Sequence, residues 1–230
     1  MQQQPGDEYL DAIYELESNG LPATTSALAE QLGVAQASVS EMLRRLAERG
    51  MVAYEPYRPA RLTEEGRQRG AQLARRHRLW ETFLANYLGI EWTRVFKEAC
   101  QLEHATSDLV MQRLDEFLDH PSVCPHGLPI PDPDGNVPER DLIPLTKLNV
   151  GQRGEISFIA SYEGDVLSYL DSLGLVPGTN ITLEARAPFD GPVSICIGDE
   201  LRVLGRKLAE LVQVSPSNTS NEDHPPGEPV

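Results

Sequence analysis

Apolar residues recur at helical spacing through the first half of the chain and at alternate positions in short runs near its end. Glu8 to Ser18 reads as a helix with Tyr9, Leu10, Ile13 and Leu16 facing inward, and Asn19-Gly20 stops it. Thr24 and Thr25 can cap a short helix over Ser26 to Leu32, Gly33 supplies a turn, and Gln36 to Arg49 follows as a second helix ending at Gly50. Two short helices joined through a glycine turn predict a helix-turn-helix, with Val39, Leu43 and Leu46 as the buried stripe of the second. Met51 to Tyr54 and Ala60 to Thr63 read as a short hairpin around a loop marked by Pro56 and Pro59, which makes a wing. Thr63 then caps a long helix from Glu64 to about Leu88, and Ile90 to His104 and Ser107 to Leu118 are predicted as two more.

The pattern changes after His120. Six prolines between Pro121 and Pro138 mark an irregular strap. From Leu142 to Val214 short alternating runs (Gly154 to Ile159, Asn180 to Leu183, Val193 to Ile197, Leu211 to Val214) surround one short helix, Asp165 to Leu173, and predict a small β-barrel. Ser215 to Val230 is polar and Pro-rich, and is expected to be disordered. The fold class is therefore mainly α with small β. A winged helix-turn-helix spans 1–63, and a helical metal-binding and dimerisation domain with its Pro-rich linker spans 64–141. The small barrel spans 142–215, before a tail from 216.

The bulk numbers refine this. At 230 residues the chain suits two or three small domains. Three scattered cysteines argue against a disulfide framework. No apolar run approaches the ~20 residues of a membrane span, and the N-terminus lacks a secretory pattern, so a cytoplasmic protein with no membrane partner is expected. A net charge of −15 looks wrong for a nucleic-acid binder. Yet Gln36 to Arg78 holds ten arginines against five glutamates, a basic island that can still be a phosphate footprint. On the second short helix Gln36, Ser38, Ser40, Glu41, Arg44 and Arg45 lie off the buried stripe. Serine and glutamine can bond base edges or phosphates, Glu41 can accept from a cytosine amino group, and the arginines suit phosphates. Arg58 and Arg61 on the wing are candidate backbone contacts. The plainer reading of the same residues is a helical hairpin with a solvated face.

Candidate metal chemistry concentrates in the long-helix region. Cys100, Glu103 and His104 stand at i, i+3 and i+4, so a thiol, a carboxylate and an imidazole share one helix face. These groups bind divalent transition metals. His77 and Glu81, at i and i+4, form a second such pair, and Glu8, Asp11 and Glu15 an acidic stripe on the first helix. Taken singly each has a simpler explanation: a buried apolar cysteine, a helix ion pair, a solvated face. Cys124 and His126 lie in the Pro-rich strap and are discounted as ligands there.

With the winged helix, the His77/Glu81 pair and the Cys100-x-x-Glu103-His104 face in this order, the chain resembles the diphtheria-toxin-repressor family of iron- and manganese-dependent regulators. The likeness covers Glu8 to about Pro131, through "YLDAIYELE", "RRHRLWETFL", "EACQLEHATSD" and "CPHGLPIP", and "LDSLGLVPGTNITL" is similar to the FeoA-like barrel of long members. It implies a primary metal site of Glu8, Cys100, Glu103 and His104, with Asp11 as an added acid. A second site would use His77 and Glu81, completed by Asp11 or by Glu163 or Asp165 of the barrel, because the family's further histidine falls at Phe96. A carboxylate at Glu8 is the manganese-type choice and a cysteine at Cys100 the iron-type choice, so the set is a hybrid. Mn(II) is the expected cofactor and Fe(II) the alternative, with other divalent transition metals binding in vitro.

The expectation is a homodimeric, metal-activated repressor that binds double-stranded operator DNA and controls metal-uptake genes. In this picture the cation ties a loosely held first helix to Cys100, Glu103 and His104. An iron-dependent repressor of iron acquisition is the nearest alternative. A protein acting through its FeoA-like domain on a metal transporter is another. A hydrolytic metal centre is disfavoured, since no His-Glu-x-x-His or nucleophile-and-base pairing accompanies the site.

Overall fold

The computed structural model describes residues 6–161 and 163–217, and the chain divides into two compact units between Pro138 and Glu139. The expected disordered tail lies outside the described residues from 218 onward.

The first unit opens with α1 (Asp7–Ser18), α2 (Thr25–Leu32) and α3 (Gln36–Glu48). The Thr24 hydroxyl accepts from the Ala27 N–H to cap α2, and Gly33 closes that helix at φ 67°, the left-handed region that favours glycine. A two-stranded wing follows, β1 (Val52–Ala53) and β2 (Arg61–Leu62), paired antiparallel. Ile13, Leu28, Val39, Leu43 and Leu46 are fully buried and form one core with Val52 and Leu62, so the wing and the three helices are a single packed body.

That core continues onto α4 (Glu64–Asn86), capped by the Thr63 hydroxyl, which accepts from Gly66 N–H at 3.1 Å. Two glycines let α4 lie close. A Cβ at Gly66 would stand 1.9 Å from the Met51 carbonyl oxygen, and one at Gly70 2.8 Å from Tyr14 Cβ. Ion pairs reinforce the seam between α1 and α4: Asp7 with Arg69 at 2.5 Å, Glu17 with Arg67 at 3.0 Å, and Glu15 with Arg78. The carboxylates of the first and last of these are buried. The expected loose first helix is therefore corrected, because α1 is fastened to α4 by its own acids.

α5 (Val95–Ala105) begins five residues later than the pattern suggests, because the chain turns through Gly89 at φ 66° and Ile90 N–H closes onto the Leu84 carbonyl. α6 (Asp108–Phe117) is capped by Ser107. Leu114 and Leu118 are buried, while Leu109, Val110 and Phe117 are exposed, as are Tyr87 and Leu88 at the end of α4.

The second unit is a six-stranded antiparallel sheet in the order β3-β8-β4-β5-β6-β7. Its strands are β3 (Ile143–Pro144), β4 (Arg153–Ile159), β5 (Asn180–Arg186), β6 (Val193–Ile197), β7 (Glu200–Leu204) and β8 (Val212–Pro216). Helices α7 (Gly164–Ser172) and α8 (Arg206–Leu211) accompany it. The expected closed barrel is corrected: β3 and β7 stand at opposite ends of the strand order and do not pair with each other among the described residues.

Candidate metal centre and nucleic-acid interface

His77 and Glu81 lie one turn apart on α4 and are both buried, His77 at 6% and Glu81 at 1% exposure. The His77 ring faces two ways. Its Nδ1 is 2.8 Å from Glu103 Oε2 on α5, and its Nε2 is 3.2 Å from Glu81 Oε1. Cys100 Sγ, one turn before Glu103, is 3.8 Å from the same Nδ1. His77, Cys100 and Glu103 thus bring one ligand atom each within 4.8 Å of one another.

The strap supplies a second group. Val123 and Pro129 form an isolated bridge, and Cys124 N–H donates to the Leu128 carbonyl at 3.0 Å while Gly127 N–H donates to the Cys124 carbonyl at 2.8 Å. This tight loop carries Cys124 and His126, both buried, up to Glu81, with His126 Nδ1 3.0 Å from Glu81 Oε1. Glu81, Cys124 and His126 also gather their ligand atoms within 4.8 Å. Trp92 covers the His126 ring edge-on at 5.5 Å, and Phe96, where the resemblance puts the family's further histidine, packs against His77 at 4.7 Å.

The electrostatics follow from burying several acids together. Burial alone would lower the His77 pKa, but Glu81, Cys100 and Glu103 reverse this and hold it well above the ordinary histidine value. Burial would raise Glu81, yet His126 and then His77 keep it well below the carboxylate range. Burial, then the charges of Glu15 and Glu103, push Asp11 up to about 8 against the opposing pull of His77 and Arg78. Burial and the Glu81 charge raise the Cys124 thiol well above its usual range. In this state protonated His77 offsets the carboxylates beside it, while their protons keep Asp11 and Cys124 neutral.

The donor set fits a divalent transition ion. Each triad offers one imidazole nitrogen, one sulfur and one carboxylate, and Asp11 Oδ1 is buried with no hydrogen-bond partner beside the first triad's charges. The residues singled out from sequence are distributed unevenly. His77, Cys100 and Glu103 come together, and Glu81 belongs to the strap group while touching His77. His104 reaches Glu103 Oε1 at 3.3 Å from a side chain that is one-third exposed. Glu8 is exposed on α1, and Asp165 is exposed in the first turn of α7, in the other unit. Cys124 and His126, discounted above, are buried partners of Glu81; the usable signal was their one-residue spacing in a strap pinned by prolines.

On α3, Gln36, Ser38, Glu41, Arg44 and Arg45 are exposed and Ser40 is half-buried. Glu41 is engaged by Arg45 one turn later, so base contact through Glu41 requires opening an exposed pair, which costs about 0.3–0.5 kcal/mol. On the wing Arg58 and Arg61 are exposed, Arg58 within 3.3 Å of Glu55.

Three family models match successive stretches of the chain. Residues 4–60 match the iron dependent repressor N-terminal DNA binding domain, residues 63–132 the iron dependent repressor metal binding and dimerisation domain, and residues 143–216 the FeoA domain. The chain is 31% identical over 218 residues to the iron-dependent repressor IdeR of Mycobacterium tuberculosis, covering 90% of this chain and 94% of IdeR. It is 33% identical over 186 residues to the diphtheria toxin repressor of Corynebacterium efficiens, covering 76% of this chain and 80% of the relative. Among solved structures, a manganese-dependent transcriptional repressor in complex with manganese superposes with a TM-score of 0.86 at 36% identity, over 92% of this chain and all of that one. The IdeR of T. acidophilum superposes at 0.82 and 29% identity, over 94% of this chain and all of that one. Among the described residues no helix is long and apolar enough to cross a membrane. With a winged helix-turn-helix, a buried ligand cluster and relatives matched along most of its length, the chain belongs to the iron-dependent repressor family of metal-dependent, DNA-binding transcriptional regulators.

Proposed function

We propose that this chain represses metal-uptake genes when Mn(II) is plentiful, with Fe(II) as the alternative effector, and that it does so in the cytoplasm as a homodimer on operator DNA. The observation that carries the reading is His77. A single buried ring bonds Glu81 on one side and Glu103 on the other, linking two ligand groups within a unit that also carries a reading helix. His77, Cys100, Glu103 and Asp11 are the proposed holders of one ion, with His104 at the rim. Glu81, Cys124 and His126 are the proposed holders of a second. A divalent cation supplies two positive charges with directional bonds where protons now balance the acids. The three carboxylates favour Mn(II) or Fe(II), while the two thiols widen in vitro acceptance to softer ions.

The residues then divide the work. Glu81 and His77 are fixed on α4, Cys100 and Glu103 ride on α5, and Cys124 and His126 on the strap, so filling both groups sets α5 and the strap against α4. Arg67, Arg69 and Arg78 pass the position of α4 to α1 and hence to the reading module. The exposed Leu109, Val110 and Phe117, with Tyr87 and Leu88, suit the apolar contact with a second copy. Two reading helices at fixed separation match half-sites one helical turn (~34 Å) or a multiple apart. A coupling of ~1–3 kcal/mol, about 5- to 150-fold in affinity, suffices for a switch. Titrating Mn(II), and Fe(II) without oxygen, into an operator-binding assay tests this. Affinity that rises with metal and falls with chelator supports it, and affinity indifferent to both defeats it.

A further inference from the structure

The wing tip contains a residue in the wrong place for ordinary turn chemistry. Arg58 N–H donates to the Glu55 carbonyl at 3.1 Å, closing a four-residue turn with Pro56 and Tyr57 at its centre. Tyr57 has φ 67° and is fully exposed. A turn with proline second and positive φ third takes glycine or asparagine at that third place, because a Cβ there crowds the backbone. A bulky aromatic in this region is a genuine outlier, and such strain gathers where a side chain is needed in one position.

The base of the wing is anchored while its tip is free. Ala60 N–H donates to the Ala23 carbonyl at 2.9 Å, Leu62 N–H to Glu17 Oε1 at 3.1 Å, and Met51 N–H to the Leu46 carbonyl at the end of α3 at 2.9 Å. The tip therefore projects at a set distance from the reading helix. Among the described residues the core makes no use of the Tyr57 ring, which is fully open to solvent.

We propose that Tyr57 is a DNA-reading residue, entering the minor groove beside the half-site that α3 reads in the major groove; this rests on the operator-binding function proposed above. A groove about 6 Å wide admits a planar ring edge-on, and A·T pairs present only acceptors on its floor, to which a phenol O–H can donate. A G·C pair adds an amino donor that obstructs the ring. Exposed Arg58, next in sequence, and Arg61, at the start of β2, are then available for the bordering phosphates. Tyr57 thereby selects A·T pairs at positions that α3 does not touch.

The test uses the full chain loaded with Mn(II) and a duplex that this wild-type protein selects from a random library. Tyr57→Gly is expected to raise or preserve the melting temperature, because glycine relieves the turn, while weakening binding to that duplex about five- to tenfold. Tyr57→Phe separates the hydroxyl from the ring and is expected to lose part of that factor. The slope of affinity against salt stays unchanged in both, whereas Arg58→Ala lowers it by about one. Replacing A·T pairs under the wing with G·C weakens the wild type, inosine·C restores it, and Tyr57→Gly is indifferent to all three. Unchanged affinity for Tyr57→Gly, or equal discrimination by both proteins, overturns the inference while leaving the repressor reading intact. Failure of the wild type to select any duplex with metal overturns both.

Discussion

The two seams of α4 are built from different chemistry. Toward α1, α4 presents Gly70 for close approach and Arg67, Arg69 and Arg78 for three carboxylates, over a continuous apolar core. Asp7 and Glu15, the buried acids of those pairs, each have a permanent arginine. Toward α5 and the strap its arginines donate to backbone carbonyls in part of the contact (Arg78 to Pro129, Arg75 to Pro131, Arg76 to Glu103), while its His77 and Glu81 meet Cys100, Glu103, Cys124 and His126. Those acids are balanced only by protons that can leave. The first seam is complete without an ion, and the second exchanges its compensation with solution conditions. A regulatory cation therefore has its leverage on α5 and the strap, and reaches α1 through Asp11 alone, while the arginine pairs hold α1 to α4 without it.

Breaking the self-sufficient seam should have the largest effect. Arg78→Ala leaves Glu15 buried without its guanidinium, and losing one partner of a buried pair costs about 3–5 kcal/mol. Urea denaturation should show that loss with and without Mn(II). Recovery of most of it on adding Mn(II) would mean that the two seams are one. Glu103→Gln acts on the other seam. It should abolish the metal-dependent gain in operator affinity, about 5- to 150-fold in the wild type, while the metal-free affinity stays where it was. Cys124→Ser combined with His126→Ala should reduce that gain, which separates the strap group from the α5 group.

The smallest effect concerns Asp11. Its pKa in the fold is about 8 against an ordinary 3.8, so the folded chain holds a proton that the unfolded chain gives up. Stability contributed by that proton is fully present below pH 4 and is lost as the pH rises toward 8. Asp11→Asn should therefore melt a few degrees higher than the wild type at pH 8 without metal, and the gap should close by pH 4. Added Mn(II) should stabilise the wild type more than the variant. A wild type more stable than Asp11→Asn in metal-free solution at pH 8 would contradict this. Calorimetry in buffers of different ionisation enthalpy should further detect protons released on metal binding below pH 8.

Sequence pattern discloses what local spacing encodes. The caps at Thr24 and Thr63, the Gly33 turn and the stripe of Val39, Leu43 and Leu46 fix the reading module, and helix spacing alone places Cys100 beside Glu103. Pairings across long intervals carry no period. Glu15 meets Arg78 across 63 residues and Asp7 meets Arg69 across 62, so one member of the acidic stripe of Glu8, Asp11 and Glu15 is spent on an arginine, and Asp7 beside the stripe on another. The strap group is hidden for the same reason, since the hydrogen bond from Cys124 to Leu128 that turns His126 inward has no periodic trace. In the sheet, β7 is absent from the expected strands although the two-residue Gly198-Asp199 turn before it is a hairpin signal. Its exposed Leu201 and Val203 break the usual burial alternation. β3 is only two residues long and includes Pro144, too little for any pattern.

The most direct test is anomalous diffraction at the manganese edge from crystals of the Mn(II)-loaded chain. One peak bonded to His77, Cys100, Glu103 and Asp11 and another to Glu81, Cys124 and His126 are expected, with the arginine pairs of α1 unchanged. A peak held by Glu8 with α1 released from Arg69 and Arg78, or none between α4 and α5, would contradict this.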